Sequence, residues 1–245
     1  ISVALLMQKG KAQGVFMDLF KNLYSVRHID WAGGWLNYDK QPSAVEKAGF
    51  DPNHIALDAL RLKIDSLLFC SPTIKLNILA AAFHEKCGLT VANAKGPFNM
   101  DSMGIALPDL RLKTPSSDIL LAFKMDMNAF STDLPADSTG AFSVNMHGSL
   151  GNQDLLTLAS PYIPRYVRRV WPRVPIVVDG KAGGNLHRLH VNGLHLAMPG
   201  IMKVNADGFV ANVTNLASLR ADMTVNATAN NLSFVTPLLP SLLPI

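Results

Sequence analysis

With 49% hydrophobic but only 16% charged side chains in 245 residues, the chain carries more apolar surface than an ordinary globular core requires. Its formal net charge is only +4, and it has no dense basic run interleaved with aromatics, so nucleic acid is not an expected partner. No apolar run approaches the length of about 20 residues that spans a bilayer as a helix.

The chain opens at Ile1 with neither an initiator Met nor a signal sequence, and it reads as an internal segment of a longer protein. Residues 1–26 are not assigned. Val15–Val26 reads either as an amphipathic helix with Phe16, Leu19, Phe20 and Leu23 on one face, or as a strand pair interrupted at Lys21-Asn22. His28–Asp39 reads as a strand bent or bulged at Gly33-Gly34, with Trp31, Trp35 and Tyr38 around the bend.

From residue 50 the chain repeats itself. Ile55-Ala56-Leu57-Asp58-Ala59-Leu60-Arg61-Leu62-Lys63 returns as Ile105-Ala106-Leu107-Pro108-Asp109-Leu110-Arg111-Leu112-Lys113, identical at seven of nine positions. A looser copy, Leu189-His190-Val191-Asn192-Gly193-Leu194-His195-Leu196-Ala197, keeps the order of apolar and polar positions. Repetition of this kind marks a stacked, elongated architecture before it marks a catalyst. Within each copy the apolar pairs are three residues apart, where strict alternation has two. Both pairs stay on one face only if a bulge or corner falls at Asp58-Ala59, Pro108-Asp109 and Asn192-Gly193. The alternative is a pair of short strands joined by a tight turn at the same place.

Period-two alternation also covers Ile74–Ile78, Leu89–Met100, Phe123–Met127, Phe142–Leu150, Ile176–Gly180, Met202–Val210 and Leu219–Ala229, separated by turn-forming residues. Asp58, Asp65, Asp101 and Asp126 are expected on the solvent side of these strands. One segment breaks the pattern. Over 161–170, Tyr162, Ile163, Tyr166, Val167 and Val170 share one side of a helix and Arg165, Arg168 and Arg169 the other, with Ser160 as N-cap and Pro161 at the first helical position. Such a helix covers an edge of the sheet or lies on a membrane interface. The helical insertion as a whole is placed at 153–171.

Nothing in the chain has the spacing of an active site. Gly180–Gly184 lacks the pattern of a phosphate loop and reads as a hairpin turn. On a regular strand His187 and His190 project to opposite faces, as do His190 and His195, and no Cys or paired carboxylate lies near them to complete a metal shell. Three triplets, beginning at Asn212, Asn226 and Asn231, match the glycosylation acceptor pattern, which is common by chance in Asn-rich strands. Cys70 and Cys87 form either one disulfide or two thiols, which leaves the redox compartment open. No enzymatic activity, cofactor or metal is expected.

The expected fold is all-β: an elongated, twisted antiparallel sheet with one short amphipathic helix near 161–170, its apolar face either packed in a closed barrel or sandwich or curled into an open hydrophobic trough. In the trough, Leu57, Leu60, Leu62, Leu107, Leu110, Leu112, Val191, Leu194 and Leu196 form the lining, one set per repeat. A transmembrane β-barrel fits poorly, because aromatics are only 7% of the chain and do not mark strand ends.

Several of these segments carry a resemblance. His54-Ile55-Ala56-Leu57 through Asp65-Ser66-Leu67, Phe83-His84-Glu85-Lys86-Cys87-Gly88-Leu89, Phe98-Asn99-Met100-Asp101-Ser102, and Leu107-Pro108-Asp109-Leu110 through Lys113-Thr114-Pro115 are similar to the AsmA-like proteins. Within that superfamily they come nearest to the TamB translocation and assembly module proteins of Bacteroidetes-type bacteria. Trp171-Pro172, Leu186-His187-Arg188-Leu189 and His28–Asp39 continue the likeness, which covers roughly residues 25–240. The resemblance favours the open trough over a closed core and implies that residues 1–245 are one segment of an elongated β-repeat array. The parent is then a periplasmic protein anchored in the inner membrane of a Gram-negative bacterium, carrying phospholipid along a β-groove and contributing to outer-membrane biogenesis. The implied partners are phospholipid acyl chains and, through parts of the parent absent here, an outer-membrane barrel protein. The alternative is a non-enzymatic scaffold or chaperone for assembly of outer-membrane β-barrel proteins or autotransporters.

Overall fold

The computed structural model describes residues 2–39, 49–51, 54–129, 134–135, 138–159, 165–185, 187–212 and 218–231. Its strands are β1 (Ser2–Asp18), β2 (Leu23–Asp39), β3 (His54–Cys70), β4 (Thr73–Glu85), β5 (Thr90–Met100), β6 (Gly104–Lys113), β7 (Asp118–Asp126), β8 (Phe142–Leu150), β9 (Ile176–Gly184), β10 (Arg188–Met198), β11 (Met202–Ala211) and β12 (Arg220–Ala229). Two short helices, α1 (Asn152–Ala159) and α2 (Arg165–Val170), lie between β8 and β9. The strands form one twelve-stranded antiparallel sheet in chain order, with β1 and β12 as its edges. The sheet is not closed into a barrel.

The Val15–Val26 ambiguity resolves as a strand pair. β1 ends at Asp18, whose Oδ1 accepts the amides of Phe20 and Lys21 and so builds the reversal into β2. β2 bends inside the predicted window, where Gly33 and Gly34 take φ of 76° and 144°.

The repeated phrase forms a bulge in all three copies. Across β3–β4 the pairing moves from Asp58↔His84 to Arg61↔Ala82, three residues against two. β6 does the same from Leu107↔Phe123 to Leu110↔Leu121, and β10 from Val191↔Gly208 to Leu194↔Ala206. Each strand continues through the irregularity, so the tight-turn alternative is excluded. The extra residue sits at φ 49° in Ala59 and φ 58° in Gly193. Bulges increase local twist and bend the strand, which is how a wide sheet acquires curvature.

Three expectations are corrected. Gly180–Gly184 is the second half of β9 and not a turn. Gly180 is required there because a Cβ would lie 2.8 Å from the Leu194 Cα, so the missing side chain lets β10 cross closely. His190 and His195 share a face, because the bulge between them adds a residue and reverses the parity. The helical insertion, expected as one helix near 161–170, contains two: α1 hides in the sequence as an apolar run continuing β8. Ser160–Pro164, including the expected cap, lie outside the described residues.

Cys70 and Cys87 are both free thiols. They sit at opposite ends of the strands, Cys70 at the β3–β4 turn and Cys87 at the β4–β5 turn. Asp101 also lies in a turn, between β5 and β6, where its Oδ1 accepts the Met103 and Gly104 amides.

Candidate functional site

Register places one apolar row across the whole sheet. Gly10 pairs with Trp31, Trp31 with Leu62, Leu62 with Ala81, Ala81 with Ala94, and Ala94 with Leu112. The row continues from Leu112 to Ile119, Gly148, Val178, Leu196, Val204 and Ala227. A second complete row runs from Met17, Tyr24 and Phe69 through Ile74, Met100, Ile105, Met125 and Phe142 to Gly184, Leu189, Val210 and Ala221. At about 4.8 Å per strand, each row is about 50 Å long. One residue along every strand the chemistry reverses: Lys95, Arg111, Leu120, His147, Asp179, His195, Asn205 and Asn226 form a mostly polar row on the opposite face.

The apolar face is also where the burial lies. Val91 is 2% exposed, Leu60 5% and Ile119 8%, all projecting from this side. Among the described residues no large side chain is fully enclosed, and every substantial contact between elements joins strands that are neighbours in the sheet. Among the described residues no second sheet lies over this face, and Ala81, Val91 and Ala94 are covered by same-face neighbours such as Leu62, Phe83 and Leu110. The sheet is an open trough with an apolar floor.

All nine residues predicted to line it are on this face. Leu62, Leu110 and Leu112 pack against a cluster of Ala81, Val91 and Ala94, so the first two repeats meet. Leu57 lies opposite Leu36 and Glu85, and Leu107 opposite Phe123. Val191, Leu194 and Leu196 are three intervening strands away on β10, joined to the others only through the rows. The repeats therefore do not gather into one pocket. The residues between them, Ile64, Phe83, Phe123, Met146 and Val178 among others, line the same face and were missed because they do not repeat, although their alternation identifies them.

Among the described residues from β3 to β12, Glu85 is the single charged side chain on the apolar face. It is 5% exposed, and its two oxygens accept the amides of Ala56 at 3.2 Å and Cys87 at 2.6 Å, tying β3 to the β4–β5 turn. Burial, with the Glu85 carboxylate beside it, pushes the Cys87 thiol up to about 11. Glu85 is thus a fastening at the rim and not a recognition group.

The polar face contains local pairs. Arg111 holds Asp118 with Nε and Nη2 at 3.1 and 2.9 Å, which keeps that carboxyl below the usual carboxylate range. His147 reaches Asp179 at 3.2 Å, His195 reaches Asn205 at 2.6 Å, and His190 lies 5.9 Å from the Phe209 ring. His187 donates from Nε2 to the Leu134 carbonyl. These four histidines have separate partners, and no group of three potential ligands converges among the described residues.

At the rim formed by the β4–β5 turn, the β6–β7 turn and the β8–β9 connection, α1 is fixed by a buried polar knot. Asp154 Oδ2 accepts the hydroxyls of Thr114, Ser116 and Ser117, while the Ser117 hydroxyl accepts the Gly151 amide at 2.8 Å. Among the described residues no helix is long and apolar enough to cross a membrane. Compared with protein-family models, curated proteins and solved structures, the chain has no match.

Proposed function

We propose that the apolar face is an acyl-chain groove. The chain is then a segment of an AsmA-like protein of the TamB type, a bridge-like carrier of phospholipid between the inner and outer membranes of a Gram-negative bacterium. The observation that carries this reading is the apolar row through all twelve strands, flanked one residue away by a polar row on the other side. Acyl chains gain about 0.8 kcal/mol for each methylene taken out of water, so occupancy needs no specific pocket. Headgroups remain at the open slit. Near-equivalent positions from strand to strand let a chain move along the floor without a bond-making step, and no enzyme activity is proposed.

The test is native mass spectrometry with lipid extraction on the chain purified gently from a Gram-negative host. Copurifying phospholipid that is lost in a folded Leu60→Asp, Leu110→Asp double variant supports the groove. A folded wild-type chain without lipid, or a double variant that loads normally, refutes it.

A second reading, a scaffold for outer-membrane β-barrel proteins, draws on the edge of the sheet. β1 is seventeen residues long, unpaired on one side among the described residues, and exposes Val3, Leu5, Val15, Phe16 and Met17. An edge of this kind accepts an added strand. Crosslinks from β1 to nascent barrel strands, in place of lipid, favour that reading.

A further inference from the structure

The connection between β8 and β9 concentrates the charge of the molecule. Between Asp154 and Asp179 the sequence has no acidic residue but contains Arg165, Arg168, Arg169 and Arg173, as much positive charge as the +4 net charge of the entire chain. Arg165, Arg169 and Arg173 are exposed. Among the described residues none of the three has an ion pair, whereas Lys63 and Arg111 on the sheet are matched with Asp30 and Asp118. The same stretch carries half-buried Leu156, Leu158, Val167, Val170 and Trp171. Cations beside aliphatic side chains and a Trp are the composition of a segment that lies in a bilayer interface.

Through Asp154, α1 at the start of the connection is bonded to three hydroxyls of the β6–β7 turn, and the connection re-enters the sheet at Ile176 of β9. An unmatched cationic surface is complementary to a densely anionic one.

We propose that the β8–β9 segment docks the protein on an anionic phospholipid surface, with Arg165, Arg169 and Arg173 directed at headgroup phosphates. Docking is separate from the acyl groove, and either stands without the other. Each arginine near an anionic bilayer contributes about 1 kcal/mol, so the three together amount to about 100-fold in binding.

Flotation of the full 245-residue chain with phosphatidylcholine vesicles, with and without phosphatidylglycerol, tests this. Binding is expected only with phosphatidylglycerol, weakening as salt rises. The triple variant Arg165→Gln, Arg169→Gln, Arg173→Gln is expected to bind about 100-fold more weakly, and the matching Arg→Lys triple to retain most of the affinity. Wild-type binding indifferent to phosphatidylglycerol, or no binding at all, overturns the proposal without recourse to any variant. So does a folded Gln triple that binds as wild type, in which case the arginines serve another partner, such as an acidic protein. The two proposals separate cleanly. The Gln triple should still load monomeric lipid, and the Leu60→Asp, Leu110→Asp chain should still float with anionic vesicles.

Discussion

The Asp154 carboxylate of α1 accepts the Ser116 hydroxyl at 2.7 Å, joining positions 38 apart in the chain, and the same oxygen also takes the hydroxyls of Thr114 and Ser117. Asp154, Thr114 and Ser117 are all buried, so removing the carboxylate leaves the Thr114 and Ser117 hydroxyl protons without their acceptor. Asp154→Ala is expected to lower stability by about 3 kcal/mol in denaturant unfolding. Amide exchange should accelerate in α1 and the β6–β7 turn while the centre of the sheet keeps its protection.

The bulges of the first and third repeats place different residues at the same backbone position. Ala59 has φ 49°, which a Cβ disfavours, and Gly193 has φ 58° with nothing within 4 Å of where a Cβ would be. Ala59→Gly is therefore expected to stabilise by about 0.5 to 1 kcal/mol and Gly193→Ala to destabilise by about 1 kcal/mol, the latter purely through the backbone. Chemical denaturation midpoints of the two variants check the opposite signs.

Gly96 fails for a different reason. A Cβ on it would stand 2.1 Å from the carbonyl oxygen of Asp109, in the bulge of the second repeat. Gly96→Ala should cost more than about 2 kcal/mol, clearly more than Gly193→Ala, because β5 and β6 must separate to admit the methyl. Thermal unfolding of the two variants side by side gives the ranking.

Cys87 has a pH signature. In the unfolded chain its thiol ionises near the ordinary 9.0, but in the folded protein only near 11, so between those values the unfolded state has lost a proton that the folded state retains. This group's contribution therefore makes stability fall as pH rises through that window, and Cys87→Ser should flatten the decline. Alkylation followed by peptide mapping should find Cys87 slow to react at pH 8 and faster as pH approaches 11.

Alternation was enough to place most strands, and the step of three in the repeated phrase was enough to place three bulges, because a face that must stay apolar leaves the chain few ways to insert a residue. Glycines were the weak point. Gly180, Gly183 and Gly184 carry turn chemistry in isolation, yet they lie inside β9, where Gly180 admits β10 at Leu194, Gly184 admits it at Arg188 and Gly183 faces Phe142 of β8, requirements set by residues on other strands. The parity of His190 and His195 departs from that of a regular strand for a related reason: the bulge that keeps the leucines on one face shifts the polar positions with them. Leu60, Leu110 and their equivalents were legible as a lining because they repeat. The rows that connect them were not, since register depends on pairing between strands that no single window of sequence contains. Asp154 was invisible for the same cause, its three partners lying more than thirty residues upstream.

The strand order has a consequence for how such a molecule is made. Because every strand pairs only with its neighbours in the chain, no segment has to wait for a distant one before it can find its place. Assembly can advance hairpin by hairpin as the polypeptide emerges, each new strand templated on the edge left by the last, in the manner of a linear repeat array. Interrupting synthesis after any complete hairpin should leave the earlier pairings as they are in the full sheet, with only the most recent edge exposed.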